Sequence, residues 1–265
     1  MRVVGIDVST LEPAERDPAK LRKTAFLMLS VAFVGAFIVI KAYRLKTEDE
    51  SGRPAVVTRL ESNFAAVNQE GEGVDIGQLE GKVWLATTIA LSRPEIFADS
   101  IKVMKEIEAE YTEDQVVKFV CLTVDPENDR PEKLKEYADV NGLGSERWWF
   151  LAASEDLIRG YVRDEMRLGS VSIVEEGSEE RIDFHSIIGV YDQHRHLRGD
   201  QFDFKQAREV AESAQKFMET EPENAEKMFK EIGVKPQEHV DDYEERLKEL
   251  RETIDFLLTE DLTEQ

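Results

Sequence analysis

The spacing of hydrophobic positions changes along the chain, and each change marks an element. Ala25–Ile40 is an uninterrupted run of sixteen apolar and small residues, flanked by Arg22-Lys23 and by Lys41 and Arg44. Sixteen helical residues rise about 24 Å, and neighbouring Thr24, Ala42 and Tyr43 with snorkelling Lys and Arg stems extend this toward a ~30 Å hydrocarbon core. A polar tail, 1–23, precedes the run and no small-x-small cleavage pattern follows it. The segment 24–43 therefore reads as an uncleaved transmembrane anchor rather than a signal peptide. Arg16, Lys20, Arg22 and Lys23 before it nearly balance Lys41, Arg44, Lys46 and Arg53 after it, so charge does not orient it.

After a polar linker, 44–61, the period shortens. Ser62–Asp75 predicts two strands with a turn at Gln69–Gly73. Val83–Leu91 is a continuous apolar run rich in Val, Ile, Thr and Trp, which predicts a strand covered on both faces. Ile101, Met104, Ile107 and Tyr111 share one face of a helix predicted over Pro94–Tyr111. A buried strand at Val116–Val124 and a helix at Pro131–Asn141 follow. Ser154 is placed to cap a short helix through Tyr161, and strands are expected at Val171–Glu175 and Ile187–Tyr191. Phe204, Ala207, Val210, Ala211, Ala214, Phe217 and Met218 form a stripe suited to a closing helix, and Glu223–Ile232 suggests another short one. Val240, Tyr243, Leu247, Leu250, Ile254 and Leu257 then alternate spacings of three and four, a helix seam that can lie on the domain or pair with a partner. This order predicts an α/β sandwich at 62–220, with an acidic helical extension at 221–265.

Composition narrows the function classes. A net charge of −22 excludes nucleic acid as a partner, since phosphates would be repelled. The single cysteine, Cys121, excludes an intramolecular disulfide and dithiol redox chemistry. It lies inside the apolar run FVCLTV, where a cysteine acts as a small hydrophobe. No Gly-rich phosphate loop, zinc spacing or serine nucleophile elbow is present, so no catalytic residue is expected and the chain reads as a non-enzyme.

Several landmarks occur in a specific order: GKVW at Gly81–Trp84, the Pro94-Glu95-Ile96 turn, VDPENDRPEKLKEYA at Val124–Ala138, His185-Ser186 before an apolar strand, and LRG at Leu197–Gly199. In this, Asn63 to Gly199 resembles the SCO/SenC family of membrane-anchored copper proteins that serve cytochrome c oxidase assembly. The resemblance implies a thioredoxin-like fold and a domain outside the cytoplasmic membrane, on the periplasmic side. It also implies a copper site of two loop cysteines and a distant histidine. In this chain the matching positions are Arg93, Phe97 and His185. Cu(I) is soft and prefers thiolates, whereas Arg93 adds a fixed charge and Phe97 an apolar ring. No cofactor is expected, and His185 is the one retained ligand position.

The remaining candidates are weighed against plain packing. His185 beside Asp183 reads as a loop-capping histidine; as a ligand it would need carboxylates such as Glu95, Asp99 or Asp183. The His194-x-His196 pair reads as an exposed polar turn. Asp125 and Glu127 read as turn and helix-start residues. Trp148-Trp149-Phe150 reads as core, or, where exposed, as a contact patch. The leading expectation is an anchored accessory protein that binds a protein partner through a surface including Arg93, Pro94, Phe97, Trp148 and Trp149. The alternatives are a metallochaperone with a rearranged site at His185 and a structural protein that self-associates through the C-terminal seam.

Overall fold

The computed structural model describes residues 53–111, 117–173, 182–220, 222 and 242–260, all within the unit Thr47–Gln265. The tail 1–23, the 24–43 segment, Glu223–Ile232 and Val240 lie outside the described residues. Among the described residues no helix is long and apolar enough to cross a membrane.

The strands are β1 (Val56–Arg59), β2 (Ala65–Val67), β3 (Gly73–Asp75), β4 (Val83–Ile89), β5 (Val117–Thr123), β6 (Trp148–Leu151), β7 (Val171–Ile173), β8 (Ile182–Phe184), β9 (Ile188–Tyr191) and β10 (His196–Phe202). The helices among the described residues are α1 (Pro94–Glu110), α2 (Pro131–Asn141), α3 (Glu155–Gly160), α4 (Phe204–Thr220) and α5 (Asp242–Thr259). Six strands form one sheet in the order β1-β10-β9-β4-β5-β6. β4, β5 and β6 run parallel, and β9, β10 and β1 alternate direction beyond β4.

Side-chain alternation divides the core. On β4, Val83, Leu85 and Ile89 face one cluster while Trp84 and Ala86 face the other. On β5, Phe119 and Cys121 oppose Val120 and Leu122 in the same way. The first cluster is closed by α1, α2, α4 and α5, and the second by the β2–β3 hairpin and α3. This is the α/β sandwich expected of a strand buried on both faces.

Several expectations need correction. β1 falls in the span read as linker; Val56-Val57 is too short a run to announce a strand, and its pairing with β10 makes it one. β10 itself is polar, HLRGDQF, and is a strand because β9 and β1 both pair with it. Arg195 sits at a φ of 62°, which tightens the turn before it, and His194 and His196 are partly buried rather than exposed. The Ser154 side chain makes no capping hydrogen bond, and α3 runs on into a widened turn at Tyr161–Glu165.

The C-terminal seam is consumed within the chain. Leu247, Leu250, Ile254 and Leu257 are buried in the first cluster, and Tyr243 meets Phe204 edge-on at 5.3 Å. Fully burying one such side chain contributes about 1.5–3 kcal/mol. Polar contacts fix the register of the helix: Tyr111 donates to Asp255 Oδ1 at 2.8 Å, and Arg251 pairs with Glu110. A self-association face built on these four residues is therefore already covered by the domain.

Candidate functional site

β4 ends at Ile89, and the chain turns through Ala90–Arg93 into α1, with Arg93 N–H donating to Ala90 O at 2.9 Å. Pro94 occupies the first helical turn, where its missing N–H removes no helical bond. The turn is held from the DPEND segment. Asp129 Oδ2 accepts from Leu91 N–H at 2.9 Å and from the Thr123 hydroxyl at 2.6 Å. Asn128 donates to both oxygens of Asp125, at 3.0 and 2.9 Å, and Ser92 reaches Asp125 Oδ2 at 3.5 Å. Burial pushes the Asp129 carboxyl above its usual range; the bonds from Thr123 and Leu91 oppose that and the Asp125 charge adds to it.

The opposite wall is the Phe184–Ser186 loop. Thr88 donates to His185 O at 2.9 Å, and the hydroxyls of Thr87 and Ser186 share a bond at 2.9 Å. Ser186 donates to Ser100 Oγ at 3.1 Å, and Ser100 donates to Ser186 O at 3.0 Å. A ladder of buried hydroxyls thus pins the histidine loop to β4 and α1. Between the walls lies a cleft of about 390 Å³, bordered by Arg93, Asp183, His185, Asp203, Lys205 and Glu209.

The cleft brings Arg93 and His185 together, although 92 positions separate them in the chain. His185 is exposed and is held through its main-chain carbonyl rather than through its ring. Arg93 donates to Glu95 at 2.6 Å and holds the Glu95 carboxyl below its usual range. Lys205 donates to Glu209 at 2.5 Å, and Asp99 is engaged by Arg208 at 3.0 Å.

Phe97 is not on the surface. It is fully buried, edge-on to Tyr137 at 5.7 Å. Trp148 is also fully buried, stacked on Phe119 at 4.7 Å, and Trp149 is partly buried against the second cluster. Both tryptophans lie on an edge strand whose outer side is covered: Gln69 donates to Trp148 O and accepts from Phe150 N–H, each at 2.9 Å. The contact surface proposed from sequence is thereby reduced to Arg93, Pro94 and the partly buried Trp149. Phe97 and Trp148 leave it because the core needs their rings.

Cys121 is fully buried, and burial pushes its thiol well above the usual range, which leaves it without thiolate character. Among the described residues no cluster of three His, Cys, Asp or Glu side chains is placed to hold a metal ion. The hydroxyl ladder and Asp129 were not singled out in the sequence. Their signals were two threonines inside an otherwise apolar run, a serine on the apolar face of α1, and a second aspartate after Asp125.

The SCO1/SenC family model matches residues 53–146. That segment is similar to the SCO1/SenC family. A SCO1 protein homolog from Bacillus subtilis (strain 168) is 35% identical over 92 residues, which are 33% of this chain and 46% of that protein. The matched segment thus spans about half the length of this curated relative. Among solved structures, a SCO1/SenC family lipoprotein from Bacillus anthracis str. Ames is 24% identical with a TM-score of 0.47, covering 57% of this chain and 86% of its own. Bradyrhizobium japonicum ScoI with copper bound is 16% identical with a TM-score of 0.42, covering 70% of this chain and 98% of its own.

Proposed function

We propose that the chain is an anchored, non-enzymatic SCO1/SenC-type accessory protein that works by binding a protein partner at the cleft between Arg93 and His185. The process is copper handling or oxidase assembly, by analogy with a Sco protein described as a member of the Sco family of cytochrome c oxidase assembly proteins and with ScoI proteins solved with copper bound. The 24–43 segment supplies the anchor, with the domain on the periplasmic side.

One observation carries the reading. At the strand-to-helix turn, where the resemblance places two thiolates, there is a guanidinium paired with Glu95 and a phenyl ring sealed in the core. These residues do not fit copper. The ring offers no donor, Arg93 repels a cation, and the chain's one thiol is buried elsewhere. The walls are nonetheless held rigid by fully partnered carboxylates and hydroxyls, which keeps the rim of the cleft in a fixed shape for recognition.

The test is an anaerobic Cu(I) competition titration on the full chain in detergent, with His185→Ala alongside, followed by capture of partners from membranes. The expected result is no tight copper equivalent, and a specific partner that is retained by the wild-type chain and lost with Arg93→Glu. One tight equivalent that disappears in His185→Ala would restore the metallochaperone reading.

A further inference from the structure

Outside the cleft, the β9–β10 hairpin carries a set of buried charges with no part in the proposed partner site. Arg198 NH1 donates to Asp192 Oδ2 at 2.8 Å and to Glu260 Oε2 at 3.0 Å, while Arg53 NH2 reaches Glu260 Oε1 at 2.6 Å. The side chains of Asp192, Arg198 and Glu260 are 1%, 3% and 4% exposed, so this chain of charges works where screening is weak. Gln193 Nε2 donates to Leu257 O at 2.8 Å. The hairpin therefore grips the end of α5 twice, at Leu257 in its last turn through the Gln193 amide and at Glu260 just beyond it through Arg198.

His196 sits inside this grip, with its side chain 14% exposed and Nδ1 at 3.5 Å from Asp192 Oδ2, too far for a good hydrogen bond. Asp192 already accepts three hydrogen bonds, from His194 N–H, His196 N–H and Arg198. We propose that the Asp192–His196 hairpin is an acid-sensitive latch on the C-terminal helix, closed when His196 is neutral and loosened when His196 takes up a proton.

The charges around His196 support that direction. Asp192 attracts an imidazolium, whereas Arg59 from β1, Arg198 from β10 and His194 from the hairpin all repel it. Burial is the largest influence, and the net result holds the imidazole below its usual value of 6.5. A proton on the closed hairpin is thus both poorly hydrated and surrounded by cations. An open hairpin restores water to the ring and with it the ordinary affinity. Opening binds a proton, so the opening constant is lowest above the ordinary histidine value and rises as pH falls below it. Glu260 titrates elsewhere. Burial raises its carboxyl, but the bonds from Arg198 and Arg53 outweigh that and hold it below 4.5.

Hydrogen exchange on the full chain at about pH 7.5 and about pH 5.5, corrected for the chemical pH dependence of exchange, tests the latch. The opening constant of Asp242–Thr259 is expected to rise by up to about tenfold on acidification, most in the last turn, while β5 stays unchanged. His196→Gln should abolish that rise, and His194→Gln should retain it. No helix-specific rise in the wild-type chain, or an undiminished rise in His196→Gln, would overturn the proposal. The wild-type profile alone decides the matter if the His196 variant fails to fold. None of these outcomes depends on what occupies the cleft.

Discussion

The cleft loops and the β9–β10 hairpin treat buried polar groups in opposite ways. Around the cleft, Asp129, Thr123, Thr87, Ser100 and Ser186 are each matched by a donor or acceptor. At the hairpin, four successive residues carry a buried polar atom with no hydrogen-bond partner among the described residues: Gln193 Oε1, His194 Nε2, Arg195 Nε and His196 Nδ1. A satisfied network has nothing to gain by opening, whereas an unsatisfied one recovers hydration when it opens. The same fold thus satisfies the buried polar groups of one region and leaves several of another without a partner among the described residues.

Breaking the satisfied region should have the largest effect. Asp129→Ala leaves Leu91 N–H and the Thr123 hydroxyl buried without an acceptor, a loss of about 3 kcal/mol in urea denaturation of the full chain. Asp129→Asn keeps an acceptor oxygen and should recover most of that loss. The raised carboxyl adds a sign: the folded state holds the Asp129 proton more tightly than the unfolded state. Its contribution is therefore full below the ordinary carboxylate value and is lost as pH rises through the folded one. Stability against pH should lose that acid-side decline in Asp129→Asn. An Asp129→Ala variant within about 0.5 kcal/mol of wild type would mean that the turn is not held this way.

The hairpin should respond more weakly. Glu260→Gln keeps an acceptor for Arg198 and Arg53 but removes the charge from a buried pair, so about 1.5 kcal/mol is expected. In contrast to Asp129, the depressed Glu260 carboxyl stabilises the fold above its unfolded value, and that stability is lost as pH falls through the folded one. The variant should therefore remove an acid-side loss below about pH 4.5 while leaving the His196 window near neutrality in place. If both windows vanished together, the two groups would be one coupled unit and the latch would have a different trigger.

The sequence was more informative about the fold than about either region. The helices Pro94–Glu110 and Pro131–Asn141 were legible because a proline in the first turn and an apolar face at helical spacing agree. β4 and β5 were legible because both their faces are apolar. β10 was not, because its strand character comes from pairing with β9 and β1 and its sequence is polar. Arg93 and His185 could be placed together only through the family resemblance, since nothing local links residues so far apart. Phe97 does not read as core from the sequence because the family resemblance sets a loop residue at its position. One turn into α1, the same residue faces the core. Glu260 and Arg198 could not be paired from sequence at all, because only the docking of α5 across the sheet brings them together.

The smallest effects separate the rungs of the hydroxyl ladder. Ser100→Ala removes a donor from Ser186 O and an acceptor from the Ser186 hydroxyl, both buried, so about 1 kcal/mol should be lost. Thr88→Val removes only the bond to His185 O. His185 is exposed, so water can take the place of the lost donor and about 0.5 kcal/mol is expected. The two variants should nonetheless differ in the opposite sense at the cleft. Thr88→Val frees the residue that borders the cleft, so amide exchange at His185 should rise more than in Ser100→Ala despite the smaller loss of stability. Equal exchange at His185 in both variants would mean that the loop is positioned by Ser186 alone, and that the Thr88 bond is incidental to the shape of the cleft.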